Sequence, residues 1–518
     1  MDFCNAVEVR ISEPNYEYDI YSLVKAFFPK SEITMETDGI EILSGHKTIT
    51  IEYQLDDKTK LYTKDCQNGA SGVHFGSICF ALYEDFQKQS ELKVRTDFGV
   101  RLETKNCLKR GLYKLLSDDT EASLPWGTLT GIRPTKILMK QLEEGKSDDE
   151  ILSQMESEYF VGKEKARLAL EVAKCEYRLL QQLDYEKGYS LYIGIPFCPT
   201  TCLYCSFTSY PLSSWKTRVD KYLEALFQEI DFAADVLKDR RLNTIYIGGG
   251  TPTTLEPEQM DRLLTKLEDS FDFQYLLEFT IEGGRPDSIT REKLQVMRDH
   301  SISRISINPQ TMQQETLQLI GRHHTVENTI ESVQLAREMG FTNINMDLIV
   351  GLPKESLEEI SDTLSKIRQL QPDSLTIHSL AVKRASRLKT EAEFYADMAM
   401  EQTERINELT SDAAKEMGLH PYYLYRQKNM AGNFENVGYA RDSCEGIYNI
   451  LIMEEKQTIM ALGAGSATKL VIPDSVDVPE GRKRITRVEN VKDVTNYLER
   501  VDEMIERKRK EMEAIGWL

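Results

Sequence analysis

The sequence contains no long hydrophobic run. A membrane-spanning helix needs ~20 consecutive apolar residues, and no segment of the 518-residue chain approaches that length. The first residues, from Met1 to Glu8, also lack the basic and then apolar pattern of a secretory signal peptide. We therefore expect a cytoplasmic protein without membrane insertion.

Positive charge is scarce relative to negative charge. The chain has 64 lysine and arginine residues against 84 aspartate and glutamate residues, which gives a formal net charge of −20. Such an acidic chain has no bulk attraction for nucleic acids or anionic membranes, so we expect neither as a partner. An anionic substrate would need a local cluster of basic side chains.

Cysteine provides no disulfide framework. The nine cysteines are an odd number, and six are scattered: Cys4, Cys66, Cys79, Cys107, Cys175 and Cys444. That distribution is typical of a reducing compartment. Scattered thiols usually act as small buried apolar residues, and we interpret these six in that way.

The other three cysteines lie close together. Cys198, Cys202 and Cys205 have CxxxCxxC spacing and follow an apolar, strand-like run from Tyr189 to Ile195. Cysteine thiolates hold iron–sulfur clusters, and three of them leave one iron of a cubane cluster open for chemistry. The spacing favours such a cluster. A zinc knuckle, which would need a fourth ligand, and three unrelated buried thiols are the alternatives.

The chain becomes regular after residue 188. Strand-like runs alternate with amphipathic helical stretches at a repeat of about 30 residues, as in βαβ units. The six runs are Ser190–Ile195, Thr244–Ile247, Glu278–Glu282, Arg304–Ile307, Asn343–Ile349 and Ser374–His378. This alternation predicts an α/β fold with a parallel sheet covered by helices, in the form of a partial TIM-like (β/α)6 barrel.

Less regular segments flank this core. The predicted parts are an N-terminal α+β domain (1–145), a helical linker (146–187), the barrel core (188–395) and a C-terminal α+β domain (396–518). In the first domain, the alternating runs Ile40–Leu43 and Thr48–Tyr53 predict a hairpin around Ser44 and Gly45. The segment Val73–Gln87 predicts a helix.

Polar residues follow the predicted strands, at the edge where barrel enzymes carry their catalytic groups. In chain order these are the segment Gly248–Pro252, Glu282, Gln310, Asp347 and His378. We expect His378 in either the core or a substrate pocket. The adjacent pair His323 and His324 is expected at the surface.

The run "LYIGIPFCPTTCLYCSF" resembles the signature of the radical S-adenosylmethionine (SAM) enzymes. The residues of this run also resemble those of the oxygen-independent coproporphyrinogen III oxidase family and its haem-chaperone relatives. The resemblance covers residues 188–380 and extends to 415–470. The N-terminal extension and the run "YYLYRQKNMAGNFENVGYA" resemble the longer, HemZ-type members of that family.

This resemblance implies a 4Fe–4S cluster on Cys198, Cys202 and Cys205, with SAM bound beside it. It also implies which side chains surround SAM. The implied SAM-binding residues are Tyr192, Tyr204, Gly249, Gly250, Thr251, Glu282, Gln310, Arg322 and Asp347. Among them, the glycine loop receives the amino group, Arg322 the carboxylate, and Gln310 a hydroxyl group.

The implied reaction is the oxidative decarboxylation of two propionates of coproporphyrinogen III to vinyl groups. The product would be protoporphyrinogen IX, and a flavodoxin- or ferredoxin-like protein would donate electrons. The established oxidase has a fourth cysteine two residues after the third, whereas this chain has Phe207, as in the haem chaperones. The alternatives are a haem-binding chaperone or carrier, and another radical SAM reaction on a tetrapyrrole.

A polyanionic tetrapyrrole needs local cations in this acidic chain. Lys383, Arg384 and Arg387 directly follow the sixth predicted strand, and Arg426 lies beside three tyrosines. We take these four as candidate ligands for the propionates. The alternative for the first three is a solvated helix start.

Overall fold

The computed structural model describes residues 6–37, 39–42, 46–56, 74–131, 133–207, 209–381, 403–427, 434–479 and 481–517. The chain divides into two compact units. The first comprises Met1–Leu170 with Ala431–Phe434, and the second comprises Glu171–Met430 with Glu435–Leu518. The boundary near residue 170 lies within helix α5 (Lys163–Leu180). The finer four-part division of the sequence stays a prediction.

The first unit is built on a five-stranded mixed sheet. Its strands are β1 (Ala6–Ile11), β2 (Glu32–Glu36), β3 (Lys47–Leu55), β4 (Phe75–Glu84) and β5 (Gln87–Asp97). Its helices are α1 (Glu17–Phe27), α2 (Arg101–Thr120), α3 (Thr135–Glu143) and α4 (Asp148–Tyr159). The strand order is β2-β1-β3-β4-β5, with β1 parallel to both β2 and β3.

Two sequence predictions for this unit are wrong. Strand β3 pairs with β1 and with β4 rather than forming a hairpin with Ile40–Leu43, of which residues 40–42 lie in no strand. The predicted helix Val73–Gln87 contains strand β4 instead. Residues Gly76–Leu82 are almost continuously buried in the sheet, and a short apolar run of this kind does not distinguish a strand from a helix.

The second unit contains the predicted βα repeats. Its strands are β6 (Gly188–Ile195), β7 (Phe197–Cys198), β8 (Tyr210–Pro211), β9 (Arg241–Gly249), β10 (Glu278–Gly284), β11 (Arg304–Ile307), β12 (Ile344–Val350), β13 (Ser374–Ser379), β14 (His420–Tyr425), β15 (Asn436–Ala440), β16 (Thr458–Leu462), β17 (Ala467–Val471) and β18 (Ile485–Glu489). Its helices after α5 are α6 (Leu212–Trp215), α7 (Val219–Leu237), α8 (Pro257–Ser270), α9 (Arg291–Asp299), α10 (Gln314–Leu319), α11 (Val326–Glu338), α12 (Leu357–Leu370), α13 (Glu404–Glu416), α14 (Ile447–Glu454), α15 (Val494–Glu499) and α16 (Val501–Ala514).

Eleven of these strands form one sheet, in the order β14-β15-β13-β12-β11-β10-β9-β6-β16-β17-β18. The six predicted strands are parallel neighbours in chain order, from β6 through β13. This arrangement confirms the partial (β/α)6 barrel. The C-terminal region extends it at both edges: β16 adds in parallel to β6, and β15 adds antiparallel to β13.

The local sequence explains the regularity of the repeats. Strands β6, β11 and β12 are buried along nearly their whole length, as expected for parallel strands covered on both faces. Capping boxes at Thr325 and Ser356 start helices α11 and α12. Among the described residues, no helix combines the length and apolarity needed to cross a membrane.

Candidate active site

A cavity of about 250 Å³ lies at the C-terminal ends of the parallel strands. Residues from distant parts of the second unit meet there, because parallel strands end at one edge of the sheet. The lining includes Cys198, Cys202, Tyr204, Cys205, Gly249, Gly250, Thr251, Glu282, Gln310, Arg322, Asp347 and His378. All of these except His378 were predicted from the sequence as cluster or SAM ligands.

The cysteine loop is fixed by hydrogen bonds to the segment that precedes Arg322. The Leu203 N–H donates to the Ile320 carbonyl (2.9 Å), and the Thr200 hydroxyl donates to the Gly321 carbonyl (2.9 Å). These contacts hold the loop and the arginine on the same side of the cavity.

The thiol of Cys198 is enclosed by the loop. Burial raises the pKa of Cys198 to about 11, and the hydrogen bond from Thr251 Oγ1 (3.5 Å) offsets this only in part. A buried thiol of this kind is an inert neutral group until a metal displaces its proton. Because Cys198, Cys202 and Cys205 all line the same cavity, it holds three potential thiolate ligands for one metal cluster.

The glycine loop after β9 packs directly on the end of the cysteine strand. The N–H groups of Gly250 and Thr251 donate to the carbonyls of Ile195 (2.8 Å) and Phe197 (2.7 Å). A Cβ atom at position 250 would lie 2.6 Å from the Phe197 oxygen, and Gly249 has a φ of +107°. Only glycine fits this close backbone approach, which leaves the cavity side open to a ligand.

Glu282 lines the cavity and accepts a hydrogen bond from a tyrosine outside the lining. The Tyr246 hydroxyl donates to Glu282 Oε1 at 2.5 Å. Burial raises the pKa of Glu282 to about 7. The hydrogen bond from Tyr246 lowers this pKa, but by less than burial raises it. The carboxyl group can therefore change its charge near neutral pH.

Tyr192 lies behind the glycine loop and is not part of the cavity lining. Its ring stacks on Tyr246 and on Tyr448, with 6.3 Å between centroids in each pair. A Cβ atom at Gly249 would come within 3.2 Å of the Tyr192 hydroxyl oxygen. Tyr192 thus supports the loop from behind.

Asp347 is held as a carboxylate by its neighbours. Asn345 Nδ2 donates to Asp347 Oδ1 (2.7 Å), and His378 Nε2 lies 3.8 Å from Oδ2. Burial would raise the pKa of Asp347, but His378 and Asn345 outweigh burial and keep the pKa below its ordinary value. His378 Nδ1 in turn lies 3.1 Å from the Tyr425 hydroxyl, and Tyr425 also lines the cavity.

Gln310 and Arg322 carry buried polar atoms that have no hydrogen-bond partner among the described residues. These atoms are Oε1 of Gln310 and both Nε and Nη1 of Arg322. Gln310 has a φ of +70° and is held by backbone bonds to Asp347 and Ile349 (2.9 Å each). A ligand that offers a hydroxyl group to Gln310 and a carboxylate to Arg322 would satisfy both side chains.

Arg285 is a cavity residue that the sequence prediction missed. Its guanidinium forms a two-point contact with Asp287 (3.0 and 2.7 Å) and donates to Thr200 Oγ1 (2.5 Å) on the cysteine loop. The charge of Arg285 also lowers the pKa of Cys198. The available signal was its place directly after the glycine pair that follows Glu282.

The expectation that both His323 and His324 lie at the surface is wrong for His324, which is buried. Its pKa falls to about 3, because burial and the neighbouring Arg322 both disfavour the imidazolium form. His324 Nδ1 lies 3.9 Å from Asp287. His323 is exposed, as expected.

Of the four predicted propionate ligands, only Arg426 lies in the part of the chain that the structure describes. The side chain of Arg426 is buried and absent from the lining, although its neighbours Tyr425 and Gln427 are present. Burial lowers the pKa of Arg426 to about 10. Lys383, Arg384 and Arg387 lie outside the described residues. Phe207 lies at the rim, with 70% of its surface exposed.

Comparison with known proteins is consistent with this geometry. The model of the radical SAM superfamily matches residues 192–367. The oxygen-independent coproporphyrinogen-III oxidase-like protein HemZ of Bacillus subtilis is 43% identical over 417 residues, which cover 80% of this chain and 82% of that protein. The chain belongs to this radical SAM family.

A heme chaperone and a coproporphyrinogen oxidase have nearly the same sequence identity to this chain. The heme chaperone HemW of Lactococcus lactis is 35% identical over 198 residues, and the oxygen-independent coproporphyrinogen III oxidase of Salmonella typhimurium is 36% identical over 196. Each match covers 38% of this chain, and 50% and 42% of those proteins, respectively. Family membership implies a 4Fe–4S cluster and SAM as cofactors, and the thiols, Gln310 and Arg322 fit them.

Proposed function

We propose that the protein converts two propionate side chains of coproporphyrinogen III to vinyl groups by radical SAM oxidative decarboxylation, giving protoporphyrinogen IX. The observation that carries this proposal is the shared cavity. It combines three thiols with side chains whose buried polar atoms lack partners in the described structure. The 43% identity with an oxidase-like protein over most of both chains supports the choice of substrate class.

Each part of the cavity has a proposed role. The thiolates of Cys198, Cys202 and Cys205 hold the cluster, which together with SAM supplies one-electron chemistry that removes a hydrogen atom from the substrate. Arg322 binds the SAM carboxylate, because a guanidinium matches a carboxylate at two points. Gln310, Asp347 and Glu282 bind its hydroxyl groups, and the backbone of Gly249 and Gly250 binds its amino group.

The tetrapyrrole approaches the part of the cavity that is lined by His378, Tyr425 and Gln427. Phe207, two residues after Cys205, also lines the cavity and is 70% exposed. Aromatic surface with a few polar groups suits a flat ligand that has polar substituents.

The same bond changes are proposed at each of the two propionates. The carbon next to the ring loses a hydrogen atom to SAM chemistry, and the carboxyl group leaves as CO2. One electron passes to a one-electron carrier, and the two remaining carbons form the vinyl double bond. A flavodoxin- or ferredoxin-like protein is the partner that donates the electron needed for SAM cleavage.

A haem-binding chaperone or carrier is the second candidate. It is favoured by Phe207, which stands where the established oxidase has its fourth cysteine, and by the 35% identity with a haem chaperone. A third candidate is another radical SAM reaction that opens or modifies a tetrapyrrole ring.

Anaerobic turnover distinguishes the three candidates. The reconstituted protein is incubated with SAM, a reductant and either coproporphyrinogen III or haem, and the products are analysed by mass spectrometry. The proposed function predicts vinyl products, CO2 and one 5′-deoxyadenosine per lost propionate. Intact haem that stays bound and then passes to an acceptor protein would support the carrier. An opened ring would support the third candidate.

Two variants serve as controls for that experiment. The Cys202→Ala protein should give no vinyl product, because one of the three thiolates is missing. Cys79→Ser changes a thiol on strand β4 of the first unit and should leave turnover unchanged. Equal loss in both variants would point to damage of the fold and not to the chemistry of the cavity.

A further inference from the structure

A second cluster of potential metal ligands lies outside the cavity. It consists of three residues: Cys175 on α5, His420 at the start of β14 and Glu445 before α14. Each offers one ligand atom, and these atoms lie within 4.8 Å of one another. Cys175 Sγ lies 3.8 Å from Glu445 Oε1, and His420 Nε2 lies 3.2 Å from the same oxygen. Cys175 was interpreted from the sequence as a buried apolar residue, so this cluster is not apparent from residue spacing.

The cluster lies at the opposite end of the sheet from the cavity. His420 pairs with Ala440, which pairs with Ser374 at the start of β13. His378, at the other end of β13, lines the cavity. Four residues of extended strand separate the two ends by roughly 13 Å. Groups at the N-terminal face of a barrel usually serve stability and not catalysis.

We propose that Cys175, His420 and Glu445 bind a zinc ion. Thiolate, imidazole and carboxylate are the three ligand types that zinc takes, with bond lengths of about 2.0–2.3 Å. Those lengths place tetrahedral ligand atoms about 3.3–3.8 Å apart, close to the two separations involving Glu445 Oε1. The thiolate and imidazole argue against calcium and magnesium, which take oxygen ligands.

A second carboxylate lies near the histidine. Asp442 Oδ1 is 3.7 Å from His420 Nδ1, on the side of the ring away from Glu445. This distance is too long for a hydrogen bond, and the Asp442 side chain is 87% exposed, so Asp442 adds negative charge near the ring without fixing its tautomer. The His420 side chain is 34% exposed, so water can supply the fourth zinc ligand.

Arg178 supplies positive charge beside the cluster. Its Nη2 lies 2.7 Å from Glu445 Oε1 and 3.6 Å from Cys175 Sγ. The Glu445 side chain is only 2% exposed, and a buried carboxylate needs a cation beside it. The Arg178 side chain is 53% exposed, so it can turn outward and yield its place to a smaller, doubly charged ion.

A zinc ion at this point would join elements that are far apart in the chain. Cys175 and Glu445 are 270 residues apart. The bond network would tie helix α5 to the β14-β15 edge that the C-terminal region adds to the barrel. Because the ligands come together only in the folded chain, zinc binding would stabilise the fold.

Zinc titration of the full chain tests the proposal. Cys198, Cys202 and Cys205 are first replaced by alanine, so that the cluster loop cannot bind the metal. After removal of metals with a chelator, bound zinc is measured by mass spectrometry and by competition with a coloured chelator. We expect one tightly bound zinc per chain and a higher melting temperature with zinc.

Single variants in that background identify the ligands. Cys175→Ser and Glu445→Gln should each weaken zinc binding tenfold or more and abolish the melting shift. Asp442→Asn should weaken binding less than either of these changes, because it removes a nearby negative charge and no ligand. Cys107→Ser, which changes another buried thiol, should leave zinc binding unchanged. Circular dichroism confirms that each variant is folded.

Two results would overturn the site. One is zinc binding that survives both Cys175→Ser and Glu445→Gln. The other is an Arg178→Ala protein whose melting temperature is lower than that of the parent and is not raised by zinc. That result would show that Arg178, and not a metal ion, is the cation of this cluster. In the otherwise wild-type chain, Cys175→Ser should keep full iron content after cluster reconstitution, which separates this site from the radical SAM centre.

Discussion

Asp347 is a charged residue whose neighbours favour its ionised form before any ligand binds. Asn345 donates to it at 2.7 Å and His378 lies 3.8 Å away. We expect Asp347→Asn to weaken SAM binding about threefold or more, because a lost hydrogen bond to a ligand hydroxyl costs ~0.5–1.5 kcal/mol. Calorimetric titration measures the affinity. A large fall in the melting temperature with unchanged SAM affinity would assign Asp347 to the fold.

Glu282 gives a prediction about pH. Burial raises its pKa from 4.5 to about 7, so between these values the folded chain holds a proton that the unfolded chain has lost. Stability should therefore fall as pH rises through this window. Glu282→Gln cannot lose that proton, so the melting temperature of the cofactor-free variant should fall less across the same window. Parallel melting profiles for the two proteins would contradict the raised pKa.

The residues of the cavity were predictable to the extent that they lie in recognisable motifs at strand ends. Asp347 and Gln310 could be placed in this way, because parallel strands bring their ends together. The burial of His324 could not be predicted. It follows helix α10, which ends at Leu319, and the backbone then turns so that the Arg322 N–H donates to the Leu317 carbonyl. Residues in such a turn do not have the regular spacing of a helix, so the exposure of His323 and His324 could not be inferred from helical periodicity.

Among the elements, the six βα repeats were predictable because each one carries its own pattern. Amphipathic spacing indicated helical stretches between the strands, and helices α7, α8 and α12 are among those that the structure has there. The edges of the sheet were not predictable, because β16 pairs with β6 although the two strands are far apart in the sequence. Nothing local in the sequence specifies such a pairing.

Helix α16 is attached to the barrel by a fully buried ion pair. Lys508 Nζ lies 2.5 Å from Glu229 Oε1 on α7, and both side chains are 0% exposed. Glu229 also accepts from the Tyr497 hydroxyl (2.6 Å) and from the Gly463 N–H (2.7 Å). We expect Lys508→Met to destabilise the protein by about 3–5 kcal/mol, because it leaves a buried charge without its partner. Denaturant unfolding measures this change.

The double variant Lys508→Met with Glu229→Gln is the matched control for that pair. It removes both charges, so a large part of the lost stability should return. If the double variant is as unstable as the sum of the two single variants, the buried charge is not the cause, and loss of packing around α16 explains the effect.

The whole molecule is expected to carry one iron–sulfur cluster per chain. The anaerobically reconstituted wild-type protein should hold four irons per chain, since the family implies a 4Fe–4S cluster. Cys202→Ala should lose both the iron and SAM cleavage, while Cys79→Ser should keep both. Iron analysis and chromatography of 5′-deoxyadenosine measure the two quantities. Full iron content in the Cys202→Ala protein would contradict the cluster assignment.

The most direct test of the proposed function follows the hydrogen atom that leaves the substrate. Coproporphyrinogen III is labelled with deuterium on the propionate carbon next to each ring, and the protein is supplied with SAM and a reductant without oxygen. We predict that deuterium appears in 5′-deoxyadenosine as vinyl groups form. Unlabelled 5′-deoxyadenosine, together with coproporphyrinogen recovered unchanged, would show that this radical SAM protein does not act on the propionates.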